Sequence, residues 1–364
     1  MNEPMAPEGE RPLVSVILPA HNGATTIQGT LNSLARQEYR PVEWIVIDDG
    51  STDGTVEIVD SLLPDRAFPA RLIRHESNLG LSKTLNHGLR EARGDLVLIL
   101  HQDIELGGTD WISRGVDNLY RNPSVAVVTA DYGIPALGEV DFVQKVFGIL
   151  RRQFHAGPDS GKEPVTFTEF KCDLARSQSL RDVGGFPERF RIAGEDLWVS
   201  YSLRSRGDRL VKDYALKCVQ RFWGDATSVR GNLRKEFTFG QAMAGTLVRF
   251  RSAPFRNLEN TPYSRSRAWN RASQPLTLLV GFVLILGAIL TRNWWFLYAL
   301  AVMILGRLVY YGWRLLPDLR RMNPRANRAL AEAVAGSGFG ILSDFAYTFG
   351  VVAGFIRWTV GASV

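Results

Sequence analysis

Between Ala272 and Trp313 the chain runs for 42 residues with only two charged side chains, Arg292 and Arg307. At the chain's average of 22 % charged residues, the same length would hold about nine. A stretch so poor in charge has few ways to satisfy its backbone other than as helix, in a bilayer or in a core. Ala272–Thr291 is an uncharged run of 20, which at helical rise covers about the 30 Å of a hydrocarbon layer. Trp294–Trp313 is a second run of 20, with tryptophans at both ends, where interfacial aromatic residues sit. With Thr291, Arg292 and Asn293 at the turn between them, the two are expected to form a tight transmembrane hairpin over 272–313. A third apolar stretch, Ala333–Trp358, is rich in glycine and interrupted by Asp344, and is compatible with spanning, re-entering or lying along the interface.

Arginines collar the hairpin. Arg249, Arg251, Arg256, Arg265, Arg267 and Arg271 precede it, and Arg314, Arg320, Arg321, Arg325 and Arg328 follow it. Both flanks are therefore expected in the cytoplasm, with the hairpin tip outside. Basic collars attract anionic head groups, so membrane lipids account for the net charge of +6 without nucleic acid as a partner. Arg307, inside the second run, is expected either to snorkel to the interface or to touch a lipid phosphate. The protein is thus placed in the cytoplasmic (inner) membrane as a multi-pass protein with its soluble part in the cytoplasm. The first dozen residues, MNEPMAPEGERP, lack the basic-then-apolar order of a signal peptide. Two cysteines, Cys172 and Cys218, exclude a disulfide framework and suit a reducing compartment.

Ahead of the collar, short β-branched runs alternate with helical patterns. Leu13–Leu18, Val42–Ile47, Leu72–Ile73, Leu96–Leu100 and Val125–Val128 read as buried strands. Between them Ile27, Leu31, Leu34 and Ala35, then Val56, Val59 and Leu63, then Leu81, Leu85 and Leu89 recur at three or four residues. This alternation predicts an α/β fold with a mainly parallel sheet covered on both faces, whose ligands gather at the carboxyl ends of the strands. Neither Gly-x-Gly-x-x-Gly nor a Gly-Lys-Ser/Thr phosphate loop follows those strands, which disfavours a dinucleotide oxidoreductase or a nucleoside triphosphatase. Carboxylates do follow them: Asp48-Asp49-Gly50-Ser51-Thr52-Asp53-Gly54-Thr55 after the second strand and His101-Gln102-Asp103-Ile104-Glu105 after the fourth. Acids there bind hydroxyl and imide donors or a cation. Asp53, just ahead of the next apolar face, is read as a helix N-cap.

Taken in order, Val14–Asn22, Gln37, Ile45–Thr55, Asn78-Leu79-Gly80, Asn86-His87-Gly88, Ala92-Arg93-Gly94-Asp95, Asp103, Gly184-Gly185-Phe186 and Gly194-Glu195-Asp196 resemble the family 2 glycosyltransferases, inverting enzymes with a GT-A (Rossmann-like) fold. The resemblance covers about residues 12–240. It implies a layout of a tail (1–11), a GT-A domain (12–240), a basic juxtamembrane linker (241–271), the hairpin (272–313), and a basic loop with the third apolar segment (314–364). It also implies a nucleotide-sugar donor held by Pro19, Ala20, His21, Asn22, Asp48, Asp49, Asn78, Gly80, Lys83, Gln102 and Asp103. Asp103 matches the last acid of the family's Asp-x-Asp motif, which holds Mg²⁺ or Mn²⁺ on the donor diphosphate, while His101 replaces the first acid. Glu105 is a possible helper there, with a solvated loop carboxylate as the simpler reading. Asp196 matches the catalytic base and Glu195 its support. Taken alone, that pair would read as first-turn acids on the helix through Leu203.

A base is needed for a sugar hydroxyl and not for an ionised phosphate, so Asp196 favours a hydroxyl on a lipid-linked or cell-envelope glycan as acceptor. A polyprenyl phosphate, as in enzymes similar to dolichol-phosphate-mannose synthase, is the alternative. Processive synthases carry Gln-x-x-Arg-Trp and more spans. Gln220-Arg221-Phe222-Trp223 has those residues at another spacing, leaving Arg221 and Trp223 as acceptor or diphosphate contacts. An inactive sugar-nucleotide-binding protein draws support only from His101. The apolar piece Phe142–Leu150, within a Gly/Pro-rich segment over 131–168, is expected to touch the membrane.

Overall fold

The computed structural model describes residues 11–63, 69–132, 141–150, 160–190, 194–221, 228–250, 262–322 and 325–359. The chain divides into two compact units: Met1–Gly133 with Gly157–Trp223 and Phe250–Glu259, and Ile134–Ala156 with Gly224–Arg249 and Asn260–Val364. This division is not linear along the chain, because residues 134–156 and 224–249 group with the C-terminal helices.

In the first unit, strands β1 (Val14–Ala20), β2 (Val42–Asp48), β3 (Ala70–Arg74) and β4 (Leu96–Leu100) lie in the order β3-β2-β1-β4, all parallel. Helices α1 (Ile27–Ala35), α2 (Thr55–Leu62) and α3 (Leu81–Glu91) make the crossovers. Every residue of β1, β2 and β4 is buried, as expected of strands covered on both faces, and their sequences are correspondingly apolar almost throughout. One face packs Val14, Val16, Leu18 and Trp44 against Ile27, Leu31 and Leu34, and the other packs Ile17, Ile45 and Ile47 against Leu85, Leu89 and Phe186.

The remaining elements in chain order are β5 (Ile104–Leu106), α4 (Trp111–Arg121), β6 (Val125–Tyr132), α5 (Phe142–Leu150, in the second unit), β7 (Lys162–Pro164), β8 (Cys172–Arg176), α6 (Ser177–Asp182), α7 (Glu195–Ser205) and β9 (Arg209–Gln220). Here the sheet departs from the expected parallel order. β8 lies antiparallel between β4 and β6, β9 runs parallel to β6, and β5 and β7 pair antiparallel with β9. β9 carries charges into the sheet, and they are matched: Lys212 and Lys217 lie 2.8 and 2.9 Å from the Asp131 carboxylate, and Asp213 accepts from Asn118 and from the Ala215 amide.

The second unit holds α5, α8 (Val229–Phe250), α9 (Pro262–Thr291), α10 (Trp295–Met322) and α11 (Ala326–Thr359). Among the described residues, two helices are long and apolar enough to cross a membrane: Trp295–Arg320, mean hydropathy 1.5, and Asn327–Arg357, mean hydropathy 1.6. The first arm of the expected hairpin is helical, with Thr277–Thr291 as its apolar part, while the side chains of 272–276 lie outside the described residues. At the turn between α9 and α10, Arg292 is left-handed (φ 53°) and the Asn293 side-chain oxygen accepts from the Trp295 amide at 3.0 Å. The third stretch is one continuous helix, α11. It approaches α8 closely enough that a Cβ on Gly240 would meet the Tyr347 carbonyl oxygen at 2.1 Å and one on Gly350 the Phe237 carbonyl at 1.9 Å. Small residues permitting such backbone approach are what apolar helix pairs use.

Two expectations change in this unit. Arg307 neither snorkels nor waits for lipid: its guanidinium lies 2.8 Å from Asp344 of α11, and the Tyr311 hydroxyl donates to the other Asp344 oxygen at 2.5 Å. The interruptions in the two apolar helices are thus each other's partners, since an ion inside a span is tolerated when paired within the bundle. Phe142 and Phe147 of α5 turn to Phe339 of α11, with ring centroids 5.9 and 5.7 Å apart, so much of the apolar face expected to meet lipid meets a helix instead.

Candidate active site

The site is built at the carboxyl ends of β1, β2 and β4, where the parallel order leaves strand ends pointing the same way. After β1 the chain turns through His21 and Asn22, the latter left-handed (φ 48°). Gln102, just past β4, clamps that turn: its side-chain oxygen accepts from the His21 amide at 2.9 Å and its NH₂ donates to the His21 carbonyl at 3.0 Å. His21 Nδ1 donates to the Asp49 carbonyl at 2.9 Å, and the Asn22 side-chain oxygen accepts from the Thr52 amide at 2.8 Å. Pro19 and Ala20 end β1 beside Ile47 and Asp48 of β2.

The two acids after β2 do different work. Asp48 is buried; its Oδ2 accepts from the Ser51 amide at 3.2 Å, and its Oδ1 is buried with no hydrogen-bond partner among the described residues. Such an orphaned acceptor is rare in a folded interior and suits a donor group on a ligand. Asp49 is fully engaged. Its oxygens accept from the Leu79 and Gly80 amides, both at 2.9 Å, and from His75 Nδ1 at 2.8 Å. Burial works against its charge, but these bonds outweigh it and hold its carboxyl below the usual range. Asp49 thereby ties β2 to the turn carrying Asn78 and Gly80, whereas Asn78 and Lys83 of that neighbourhood are exposed. Behind it His75 Nε2 lies 2.9 Å from His87 Nδ1, the rings stacked. Asp53 accepts from the Thr55 amide (3.0 Å) and the Ala24 amide (3.1 Å), so it holds the head of α2 from one place ahead of the N-cap, which is Gly54.

On the other side of the strand ends, Asp103 accepts from the Gln220 side-chain amide at 2.9 Å. Glu105 is paired with Arg221 at 2.9 Å, so Arg221 is in part spoken for by it. Trp223 lies outside the described residues. Burial pushes His101 down to about 4, leaving a neutral ring near pH 7 whose Nε2 is buried without a partner among the described residues. Gly194, left-handed at φ 108°, caps α7 so that Glu195 and Asp196 form its first turn. Glu195 is buried, and burial, then repulsion from Asp196, raise it from 4.5 to about 8. Near neutral pH Glu195 therefore holds its proton, burial being the larger cause and the neighbouring Asp196 the second.

A lysine joins the two sides. Lys171, at the foot of β8, lies 2.7 Å from Glu169; burial pulls its ammonium down, but Glu169, then Asp103 and Asp196, outweigh that and hold it above its usual value. The acid after β4 and the acid heading α7 thus act on one ammonium. Phe170 between Lys171 and Glu169 is left-handed (φ 47°) and buried against Phe186. An aromatic residue in that conformation is a genuine outlier, and such strain concentrates at functional sites. Sequence reasoning missed Glu169 and Lys171, whose only signal is two charges abutting a buried strand. The Gly184-Gly185-Phe186 motif proves to be a docking device. Gly185 (φ 69°) lies where a Cβ would meet the Asn86 side-chain oxygen at 2.5 Å, and Asn86 exchanges hydrogen bonds with both the amide and the carbonyl of Phe186.

Residues 15–184 match the profile of the family described as Glycosyl transferase family 2. That match spans a little under half of the chain. It is 30 % identical over 213 residues to an uncharacterised protein of Mycobacterium tuberculosis, covering 54 % of this chain and 63 % of that one. To the poly-beta-1,6-N-acetyl-D-glucosamine synthase of Staphylococcus epidermidis it is 28 % identical over 196 residues, 52 % of this chain and 45 % of the relative. The chain therefore spans about half the length of the curated relatives it matches. In fold it is similar to a Pyrobaculum calidifontis mannosyltransferase solved with GDP-Man and Mn²⁺, with a TM-score of 0.56 and 19 % identity over 94 % of this chain and 88 % of that one. The matched family implies a divalent ion, and no cluster of three or more His, Cys, Asp or Glu suited to a metal occurs among the described residues of this chain. One carboxylate at Asp103 still fits a hard cation that takes its other oxygens from a bound diphosphate and water, the usual manner of Mg²⁺.

Proposed function

We propose that the chain is a membrane-bound inverting glycosyltransferase. In this reading it moves a sugar from a nucleotide-sugar to a hydroxyl of a lipid-linked or cell-envelope glycan at the cytoplasmic face. The observation that carries this reading is the placement of Glu195 and Asp196 in the first turn of α7, with Asp196 and Asp103 both acting electrostatically on Lys171. Asp48 Oδ1, the orphaned acceptor at the end of β2, receives a donor group of the nucleotide, and the Pro19–Asn22 turn clamped by Gln102 forms the adjoining wall.

Asp196 takes the proton of the acceptor hydroxyl as that oxygen bonds to the anomeric carbon. The bond from that carbon to the diphosphate oxygen breaks on the opposite face, and the nucleoside diphosphate leaves with the electron pair. Protonated Glu195 adds no second charge that would repel the attacking oxygen. Lys171, ionised and close to Asp103, offsets negative charge near the leaving group. Asp103 would hold Mg²⁺ or Mn²⁺, which supplies charge neutralisation to the departing diphosphate.

The two apolar helices and the arginine collars support an acceptor carried by a membrane. The test is Asp196→Asn. With purified full-length protein and candidate donors, release of nucleoside diphosphate falls by about 10²–10⁴, the usual contribution of a general base. Retention of most of the transfer would sink the hydroxyl-acceptor reading and favour a polyprenyl phosphate, which arrives already ionised.

A further inference from the structure

Within the helical unit, Val146 of α5, Leu315 of α10 and Gly336 of α11 meet, such that a Cβ on Gly336 would lie 2.8 Å from Val146 and 3.0 Å from Leu315. Around this junction stand three cations and one carboxylate. Arg314 donates through Nη2 to the Leu150 carbonyl at 2.8 Å, closing the C-terminal end of α5. Its Nη1 is buried with no partner among the described residues. Lys145 is buried, and its ammonium reaches Glu332 Oε1 only at 3.9 Å, beyond hydrogen-bond length. Arg328 approaches the same oxygen at 3.4 Å from one helical turn away, and Glu332 Oε2 is itself without a partner.

The cluster thus carries two positive charges beyond its one acid, with a buried guanidinium nitrogen left unsatisfied. Protein interiors do not ordinarily keep such a group unpaired, because the desolvation of a charged donor is recovered only through a partner. Its level is also defined. Arg314 directly follows Trp313, seven residues before the end of the apolar stretch Trp295–Arg320 of α10, and Arg328 stands in the first turn of the neighbouring α11. Aromatic belts mark the head-group region, where lipid phosphates lie.

We propose that Arg314 and Lys145, with Arg328 at the rim, form a binding site for the phosphate of a membrane lipid. Arg314 Nη1 and the Lys145 ammonium supply the donors, and Glu332 holds Lys145 in place. The phosphate comes from one of two sources, the anchor of a lipid-borne acceptor or an anionic phospholipid. The first deepens the proposed transferase reading and rests on it, and the second stands without it.

Native mass spectrometry of the full-length protein in detergent tests the site, with polyprenyl phosphate, phosphatidylglycerol or phosphatidylcholine added separately and no sugar donor present. The wild type retains a phosphorylated anionic lipid over phosphatidylcholine. Arg314→Gln and Lys145→Gln each lower the retained fraction about tenfold or more, as loss of one charged hydrogen bond predicts. Arg314→Lys restores part of it, and Arg320→Gln, an exposed arginine on the same helix, leaves it unchanged. Preference for polyprenyl phosphate identifies the acceptor anchor, and equal retention of phosphatidylglycerol identifies a head-group site. Equal retention in wild type and both glutamine variants, or none in the wild type, overturns the proposal. Should Arg314→Gln fail to fold, Lys145→Gln carries the test, since it breaks no bond shorter than 3.9 Å. Because no transfer is measured, loss of the site leaves the Asp196 chemistry standing, and an inactive enzyme leaves the site standing.

Discussion

Replacing Glu195 by glutamine separates a structural from a chemical reading of the acidic pair heading α7. Glu195 is raised from 4.5 to about 8, by burial first and by Asp196 second. A carboxyl raised in this way binds its proton in the folded state across a range where the unfolded chain has released it. Stability is therefore fully present below about 4.5 and is lost as pH rises through about 8. The full interval corresponds to a ceiling of about 5 kcal/mol, and the part between pH 6 and 8 to about 2 kcal/mol. Glutamine is the uncharged isostere and has no proton to lose. The difference in melting temperature between wild type and Glu195→Gln, followed in detergent from pH 6 to 8, should move in favour of the variant by roughly 3–5 °C. Taking the difference cancels other groups, including Asp173, which burial raises to about 7 and which titrates with the same sign.

The kinetic half of this prediction follows from the same charge assignment. With Glu195 already neutral at pH 7, Glu195→Gln should stay within a few-fold of wild-type kcat, whereas Asp196→Asn loses about 10²–10⁴. A flat difference in melting temperature, together with a glutamine variant as inactive as Asp196→Asn, would show that Glu195 is ionised and chemically engaged, and the assignment of the base to Asp196 alone would fall.

Other perturbations bear on separate parts of the molecule. Arg307→Leu or Asp344→Leu alone should destabilise by about 3–5 kcal/mol by stranding a buried charge, while the double variant recovers most of the loss in detergent melting experiments. A double variant as unstable as both losses combined would refute the pairing as their cause. Asp49→Asn keeps one acceptor oxygen where two amides are held, so donor KM should rise more than kcat falls, and stability should drop by about 2–3 kcal/mol. An unchanged KM would divorce that turn from donor binding. Chelation should stop nucleoside diphosphate release and Mn²⁺ or Mg²⁺ restore it, with Asp103→Asn raising the metal concentration needed for half-maximal rate. Full turnover in excess chelator would argue that Lys171 serves in place of an ion.

The parallel half of the sheet was legible because β1, β2 and β4 are buried throughout and so are written as nearly unbroken apolar runs. β9 was not, because Lys212, Asp213 and Lys217 break its pattern, and their partners Asp131 and Asn118 are brought opposite only by the sheet itself. The same rule governs the site. Asp48, Asp103 and Asp196 stand at strand ends or a helix head, where local pattern announces a ligand-facing position. Lys171 and Glu169 owe their place to a left-handed Phe170, a conformation that no residue type predicts. Arg307 and Asp344 show where a sharper reading was available. Each looked like a defect in its own apolar run, yet opposite charges in two adjacent membrane-length segments satisfy each other more cheaply than either can reach water. Treated as a pair, they specify that α10 lies against α11, which is a contact 37 residues apart in sequence and one no periodicity encodes.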